Sequence, residues 1–219
     1  MYDSVFIITS TIMAEEIVTA VPNKQRYEQT IETIKSIRKY APNSFIILVE
    51  NSLFYFYSQE LIDSVDSYVN VSNNPDSIRI NLNRKKGIGD AYMVVQGLDV
   101  LKKYNIKAKR IFKVCGRYWL TEKFNLQEHI SAGEKYMFKR QEPSEYTATA
   151  ALSTRIWSMS FNKINETISM LLSVVETMNR ENIDLEPAMF KTIPEKDYQL
   201  AEWLGLSGYL AIWNKYWEE

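Results

Sequence analysis

The sequence predicts an α/β fold: a single domain with a mixed, mostly parallel central sheet flanked by helices. Short apolar runs rich in β-branched residues, at 4–13, 45–49 and 110–115, alternate with segments of helical periodicity. Such alternation gives parallel strands joined by helical crossovers. Each run ends in polar residues or glycine, and the second half mixes strand-like and helix-like segments without a repeat, a low-complexity tract or a linker. A chain of 219 residues suits one large domain or two small ones and can bury a substantial core.

Composition narrows the function classes. Lys and Arg number 26 against 27 Asp and Glu, a net charge of −1, so no polyanion-attracting field is expected and nucleic acid is not the expected partner. A local basic patch can still hold a phosphate. One cysteine, Cys115, excludes an internal disulfide and a multi-cysteine zinc site, and one histidine, His129, excludes a histidine-rich metal site. No segment has the length of a spanning helix and the start of the sequence lacks a signal-peptide pattern, so a soluble, cytoplasmic protein is expected.

In chain order, the run at 4–13 reads as a buried first strand ending in the polar Thr9, Ser10 and Thr11. Residues 14–23 form a loop closed by Val21, Pro22 and Asn23. A helix over 24–40 presents Tyr27, Ile31, Ile34 and Ile37 as its apolar face, and Pro42 stops it. The second strand, 45–49, runs into Glu50, Asn51 and Ser52. A helix near 58–66, a brief strand at 68–71 and a turn over 72–77, signalled by Asn74-Pro75-Asp76, come next. The helix after the glycines at 87 and 89 shows Ala91, Val94, Leu98 and Leu101 on one face. After the strand at 110–115 come a short polar helix at 124–130 carrying an exposed His129, a strand at 135–140 and a loop at 141–146. Residues 148–161 read as one bent strand or two, with Arg155 and Trp157 between them. Asn162 caps a helix with face Ile164, Ile168, Leu171, Val175 and Met178. Asp184 caps a shorter one with Glu186, Met189 and Phe190. The last segment holds Trp203, Trp213 and Trp217 and turns at Gly205 and Gly208.

The stretch 83–124 organises the rest. Asn83, Arg84, Lys85, Lys86, Gly87, Ile88 and Gly89 lead into a helix start. Glycines let backbone amides approach a phosphate and a helix N-terminus favours an anion, but Asp90 already brings negative charge there, as a cap would. The spacing matches neither a Walker loop nor a dinucleotide fingerprint, and a surface turn with solvated lysines fits the pattern better. The strand at 110–115 then breaks at Gly116 and presents Arg117 and Tyr118. In open α/β sheets ligands sit beyond the carboxyl ends of strands. An arginine at such an end needs an anion, either a phosphate or an internal carboxylate. Glu186 early in a helix is a general base or simply a dipole partner, and its residues alone favour the second. Cys115 reads as a small core residue rather than a nucleophile. The C-terminal tryptophans read as core or lid packing, with stacking on a sugar as the alternative.

The order of these pieces resembles the nucleotide-sugar-dependent glycosyltransferases of the GT-A fold. The resemblance runs from about residue 4 to 126, with a weaker echo at Leu185-Glu186-Pro187-Ala188. It is similar also to a group of bacterial and viral glycosyltransferase-like proteins, through Arg26-Tyr27-Glu28-Gln29-Thr30, Lys86-Gly87-Ile88-Gly89-Asp90 and Lys113-Val114-Cys115-Gly116-Arg117-Tyr118. It implies one GT-A-like, Rossmann-like domain, with 1–126 as its nucleotide-binding half and 127–219 as its acceptor-side half. It implies a glycosyltransferase moving a sugar from a nucleotide-sugar donor to a glycan or other hydroxyl acceptor. Thr9, Ser10, Glu50 and Asn51 border base and ribose, Lys86 and the catalytic Arg117 face the diphosphate, and Thr11, Gly87, Asp90 and Gly116 complete the donor-binding set. Tyr118 packs near the donor sugar, and Glu186 takes the acceptor proton if the enzyme inverts. In place of the family's metal-binding Asp-x-Asp stands Gly116-Arg117-Tyr118. Arginine can clamp a diphosphate bidentately, so no metal is expected, with manganese or magnesium held through Asp76 or Asp90 as the fallback. Loss of activity, a non-catalytic nucleotide- or carbohydrate-binding module, and a nucleotidyltransferase are the alternatives.

Overall fold

The computed structural model describes residues 1–14, 20–52, 55–82, 86–141, 150–210 and 215–218, with backbone alone at 79–82 and 141. The first half alternates as its pattern requires: β1 (Tyr2–Ser10), α1 (Asn23–Tyr40), β2 (Ser44–Glu50), α2 (Gln59–Ser64), β3 (Ser67–Asn70), α3 (Pro75–Leu82), α4 (Lys86–Lys103) and β4 (Ala108–Cys115). The second half contains β5 (Tyr118–Leu120), α5 (Leu126–Ser131), β6 (Tyr136–Phe138), β7 (Arg140–Gln141), β8 (Ala151–Leu152), β9 (Ile156–Ser160), α6 (Ile164–Glu181), α7 (Leu185–Thr192), β10 (Tyr198–Leu200), β11 (Leu206–Leu210) and β12 (Lys215–Glu218).

The main sheet has seven strands in the order β10-β6-β9-β4-β1-β2-β3. β1, β2, β3 and β4 are parallel, β10 and β6 are parallel, and β9 runs against both β4 and β6. The sheet is therefore mixed and mostly parallel, and the runs at 4–13, 45–49 and 110–115 are neighbours in it, as their apolar character predicts. Both faces are buried. Val5 and Ile7 of β1 pack with Val94, Leu98 and Leu101 of α4 on one side, while Phe6 and Ile8 pack with Ile34 and Ile37 of α1 on the other. Register decides what the sheet presents at its end: Ser10 pairs with Glu50, and Thr9 with Cys115. A second sheet, β12-β11-β5, is antiparallel, and β7 pairs with β8.

Helix α1 departs from its apolar pattern. Its buried residues include Arg26, Gln29, Thr30, Thr33 and Ser36, whereas Tyr27 and Ile31 are only half-buried. Three of them, Thr30, Thr33 and Ser36, serve the backbone of the segment that leaves the main sheet after β4. Thr30 Oγ1 donates to the Gly116 carbonyl at 3.0 Å, Thr33 Oγ1 to the Tyr118 carbonyl at 2.8 Å, and Ser36 Oγ accepts from the Leu120 amide at 2.9 Å. Helix residues three apart thus meet strand residues two apart, and buried backbone groups find partners without a neighbouring strand.

Other local readings change. Residues 72–77 are not a plain turn, because α3 starts at Pro75, where proline's missing N–H costs nothing. The strand at 135–140 is split into β6 and β7. Ser160, not Asn162, supplies the cap, accepting from the Asn162 amide ahead of a short 3-10 turn before α6. Asp184 precedes α7 without a side-chain capping bond. Trp157 lies inside β9, so Thr154 and Arg155, not Trp157, form the joint between β8 and β9. Gly205 turns with φ of +60°, but Gly208 belongs to β11 opposite Tyr118. The loop residues 142–146 and Asn83, Arg84 and Lys85 of the basic stretch lie outside the described residues, as does Trp213.

His129 is buried rather than exposed, only 2% accessible, with its ring against Phe112 and Phe124. Arg110 Nε donates to Ser158 Oγ at 2.9 Å, which leaves the Ser158 proton for His129 Nδ1 at 2.8 Å. Burial, then the nearby Arg110 charge, holds the imidazole pKa down at about 3 from 6.5. The folded state resists a proton that the unfolded chain accepts near pH 6.5. Stability present at neutral pH is therefore lost as pH falls from 6.5 toward 3, by up to about 1.4 kcal/mol per pH unit. Between pH 6.5 and 5 this amounts to roughly 1.5–2 kcal/mol. Urea unfolding of the parent and His129→Gln at both pH values should show a flatter acid limb in the variant. Equal slopes would assign the acid sensitivity to another group.

Candidate active site at the carboxyl end of the sheet

The carboxyl ends of β1, β2 and β4 meet the first turns of α4 and α7 and the joint before β9. Asp90 is the hub. It does not cap α4 but points inward from its second turn, where its carboxylate accepts from Thr9 Oγ1 at 2.7 Å and from Lys113 Nζ at 2.5 Å. Lys113 is 1% accessible. Its ammonium also reaches the Thr154 carbonyl at 2.6 Å and Cys115 Sγ at 2.9 Å. Burial works against its charge, but Asp90 and Cys115 outweigh it, and its pKa is raised. From Thr154 the chain continues, since Thr154 Oγ1 donates to Glu186 Oε1 at 2.7 Å. Asp90, Lys113, Thr154 and Glu186 thus form one connected polar path across the end of the sheet.

Gly87 serves packing. A Cβ there would lie 2.6 Å from Leu185 Cβ and 2.9 Å from Met178 Cε, so glycine lets the start of α7 approach the start of α4. That contact brings Glu186 to the site. Gly116 is similarly confined. Its amide donates to the Thr9 carbonyl at 2.9 Å, and a Cβ would meet Thr30 Oγ1 at 3.1 Å.

Glu50 is wholly enclosed. Its carboxylate accepts from the Ile12 amide at 2.9 Å and from Ser52 Oγ, and burial raises its pKa against those hydrogen bonds. Asn51 is also buried, donating its amide to the Ser10 carbonyl at 2.9 Å and accepting from Ser77 Oγ. These two residues shape the ends of β1 and β2. Ser10 and Thr9 are nearly closed off, and Thr11 is half-buried with its carbonyl accepting from Arg26 Nε at 2.5 Å.

Three cations converge. Arg26 is pulled down to about 10 by burial and then by Arg117, with Glu50 opposing. Lys86 is lowered by burial, then by Arg117 and Arg26, with Asp184 opposing. Arg117 is half-buried, donates Nη1 to the Tyr209 carbonyl at 3.2 Å and lies over the Tyr118 ring. Among the described residues no carboxylate lies within ion-pair distance of it, so the internal-carboxylate alternative is not met there. Arg155 covers the other reach of Tyr118 and the Trp217 ring. Among the described residues no three Asp, Glu, His or Cys groups gather as metal ligands; Asp90 is engaged by Thr9 and Lys113, and Asp76 is exposed on α3.

The hydrogen bonds and strand register bring Thr9, Ser10, Glu50, Asn51, Asp90, Gly116 and Glu186 to this end of the sheet, whereas Asp76 stands exposed on α3. The apolar-run reading passed over Lys113, Thr154, Arg26 and Arg155. A lysine inside an otherwise apolar strand was the available signal for Lys113. A cavity of about 440 Å³ at the opposite end is lined by Met1, Tyr2, Asn105, Ile106 and Lys107, with Lys107 its one charged side chain.

No family model and no curated protein sequence matches this chain. Solved structures do. The apo form of the glycosyltransferase GlyE of Streptococcus pneumoniae TIGR4 superposes with a TM-score of 0.52 at 10% identity over 92% of this chain and 45% of that one. A second GlyE structure gives 0.53 at 11% identity, again over 92% and 45%. A glycosyltransferase involved in glycosylation of the major capsid of PBCV-1 gives 0.50 at 9% identity, over 90% of this chain and 81% of that one. The chain has a GT-A-like fold. It spans less than half the length of GlyE. In that GT-A-like frame, Gly116-Arg117-Tyr118 follows the fourth strand, and the candidate site occupies the carboxyl end of the parallel strands. No candidate membrane-crossing helix is found among the described residues.

Proposed function

We propose that the protein is a glycosyltransferase that moves a sugar from a nucleotide-sugar donor to a hydroxyl of a glycan or other acceptor, without a metal ion. The observation that carries this reading is the convergence of Arg26, Lys86 and Arg117 at the carboxyl end of the sheet. Beyond the effect of burial, Arg117 lowers the proton affinity of both Arg26 and Lys86, and Arg26 that of Lys86, and a diphosphate would relieve that repulsion. The likeness in fold to glycosyltransferases supports the same reading. In the proposed reaction the bond from the sugar's anomeric carbon to the diphosphate oxygen breaks, and Arg117 and Lys86 hold the charge that develops there. The acceptor oxygen bonds to the anomeric carbon and its proton passes to Glu186, which Thr154 orients. Thr9, Ser10 and Thr11 border the nucleoside, with Glu50 and Asn51 fixing the backbone that they stand on. Among the described residues no three carboxylate, histidine or cysteine groups gather to fit a held metal, and Asp90 is already engaged by Lys113.

Calorimetric titration with nucleoside diphosphates tests this. Binding in chelator should match binding in manganese to within a few-fold. Arg117→Ala should weaken it roughly ten- to hundred-fold, the size of a charge-assisted hydrogen bond of about 1.5–3 kcal/mol. A strict manganese requirement would overturn the metal-independent mechanism. Unchanged affinity in Arg117→Ala would move the diphosphate elsewhere.

A further inference from the structure

The three-stranded sheet has two unlike faces. Alternation along its strands, with Trp119 opposite Ser207, Ser207 opposite Glu218 and Tyr209 opposite Tyr216, puts these five residues on one face. Leu120 and Leu206 point the other way into the core, and Trp217 packs beside them. The three rings form a cluster, with centroids 6.1 Å apart for Trp119 and Tyr209, 6.4 Å for Trp119 and Tyr216, and 5.7 Å for Tyr209 and Tyr216. Tyr216 is 49% accessible. A cleft of about 350 Å³ opens between this face and the flank of α1, within the size range of small-ligand sites. Trp119, Tyr216 and Ser207 line it together with the carboxylates of Glu32, Glu122 and Glu218.

Ser207 is the decisive residue. It is 1% accessible, and its hydroxyl has no hydrogen-bond partner among the described residues. Buried polar groups in native proteins are nearly always paired, so an unpaired one that lines a cleft marks where a ligand's polar atom belongs. The remaining chemistry defines that ligand. Aromatic faces beside hydroxyl and carboxylate acceptors suit a molecule that is apolar on one side and rich in hydroxyls at its edge. The cleft sets three carboxylates against the ammonium groups of Lys35 and Lys39, which disfavours a phosphorylated ligand. An apolar peptide would leave the Ser207 hydroxyl without a partner.

We propose that this cleft binds a neutral sugar ring of an oligosaccharide, stacked by its C–H face on Trp119 and Tyr216 and hydrogen-bonded at its edge by Ser207 and the surrounding carboxylates. Sugar binding here needs neither Arg117 nor Glu186, so it stands apart from the donor reading.

The test is saturation-transfer NMR of the full chain with four neutral disaccharides at millimolar concentration: cellobiose, chitobiose, maltose and mannobiose. At least one should bind, and Trp119→Ala should weaken it about tenfold or more, as loss of an aromatic anchor does. Tyr216→Ala should also weaken it, and because that ring is half exposed the variant provides a second reading should Trp119→Ala fail to fold. Unchanged thermal melting of the variants separates lost binding from lost structure. No transfer to any of the four sugars, or equal binding in both variants, would overturn the proposal.

Discussion

Asp90→Ala is expected to destabilise the protein by about 3–5 kcal/mol, the cost of leaving a buried charge without its partner. Lys113 cannot reach water from its place at the end of β4, and Asp90 provides the carboxylate beside it. The remaining partners of Lys113 are the Thr154 carbonyl and Cys115 Sγ. The double variant Asp90→Ala/Lys113→Met should recover most of the loss, because apolar replacement of a whole buried pair is often neutral. Urea unfolding of the two single variants and the double variant gives the coupling directly. A loss below about 1 kcal/mol in Asp90→Ala would mean that the ammonium is solvated in solution, and the polar path to Glu186 would then lose its anchor.

Glu186→Gln should act on rate alone. Glutamine keeps the size of the side chain and can still accept from Thr154, but it cannot take a proton. Under the proposed mechanism, turnover falls by about 10²–10⁴ while nucleotide affinity stays within a few-fold. A paired titration and turnover assay reads both. Full turnover would reduce Glu186 to a carboxylate at the start of α7, favourable there for the helix dipole alone. Weaker nucleotide binding together with slower turnover would place Glu186 at the donor instead.

The strands of the sheet were legible because parallel strands buried on both faces read as continuous apolar runs, and β1, β2 and β4 each carry one. Their polar ends pointed to the site for the same reason. What escaped was polar chemistry carried inside apolar context. Lys113 stands between Phe112 and Val114, and only the fold shows Asp90 coming from α4 to meet it. Local pattern suggested capping for Asp90, since four residues into a helix a carboxylate does stabilise the dipole, and sequence alone does not reveal which way it points. His129 lies in a polar helix, and its burial depends on Phe112, Phe124 and Ser158, which are distant or unremarkable in sequence. Pro75 signals a turn and the first residue of a helix equally well.

The hydroxyls of α1 have one more consequence, for self-association. β5 pairs with β11 along one edge, and its other edge would normally offer unpaired amides and carbonyls to any passing strand. Thr33 and Ser36 occupy that edge with side-chain hydroxyls, so a helix takes the place of the missing strand. The small sheet cannot be extended on that side by a second copy of the chain. Exchanging Thr33 and Ser36 for valine and alanine would therefore do more than remove two hydrogen bonds, since it would uncover a template for intermolecular pairing beside the exposed aromatic face.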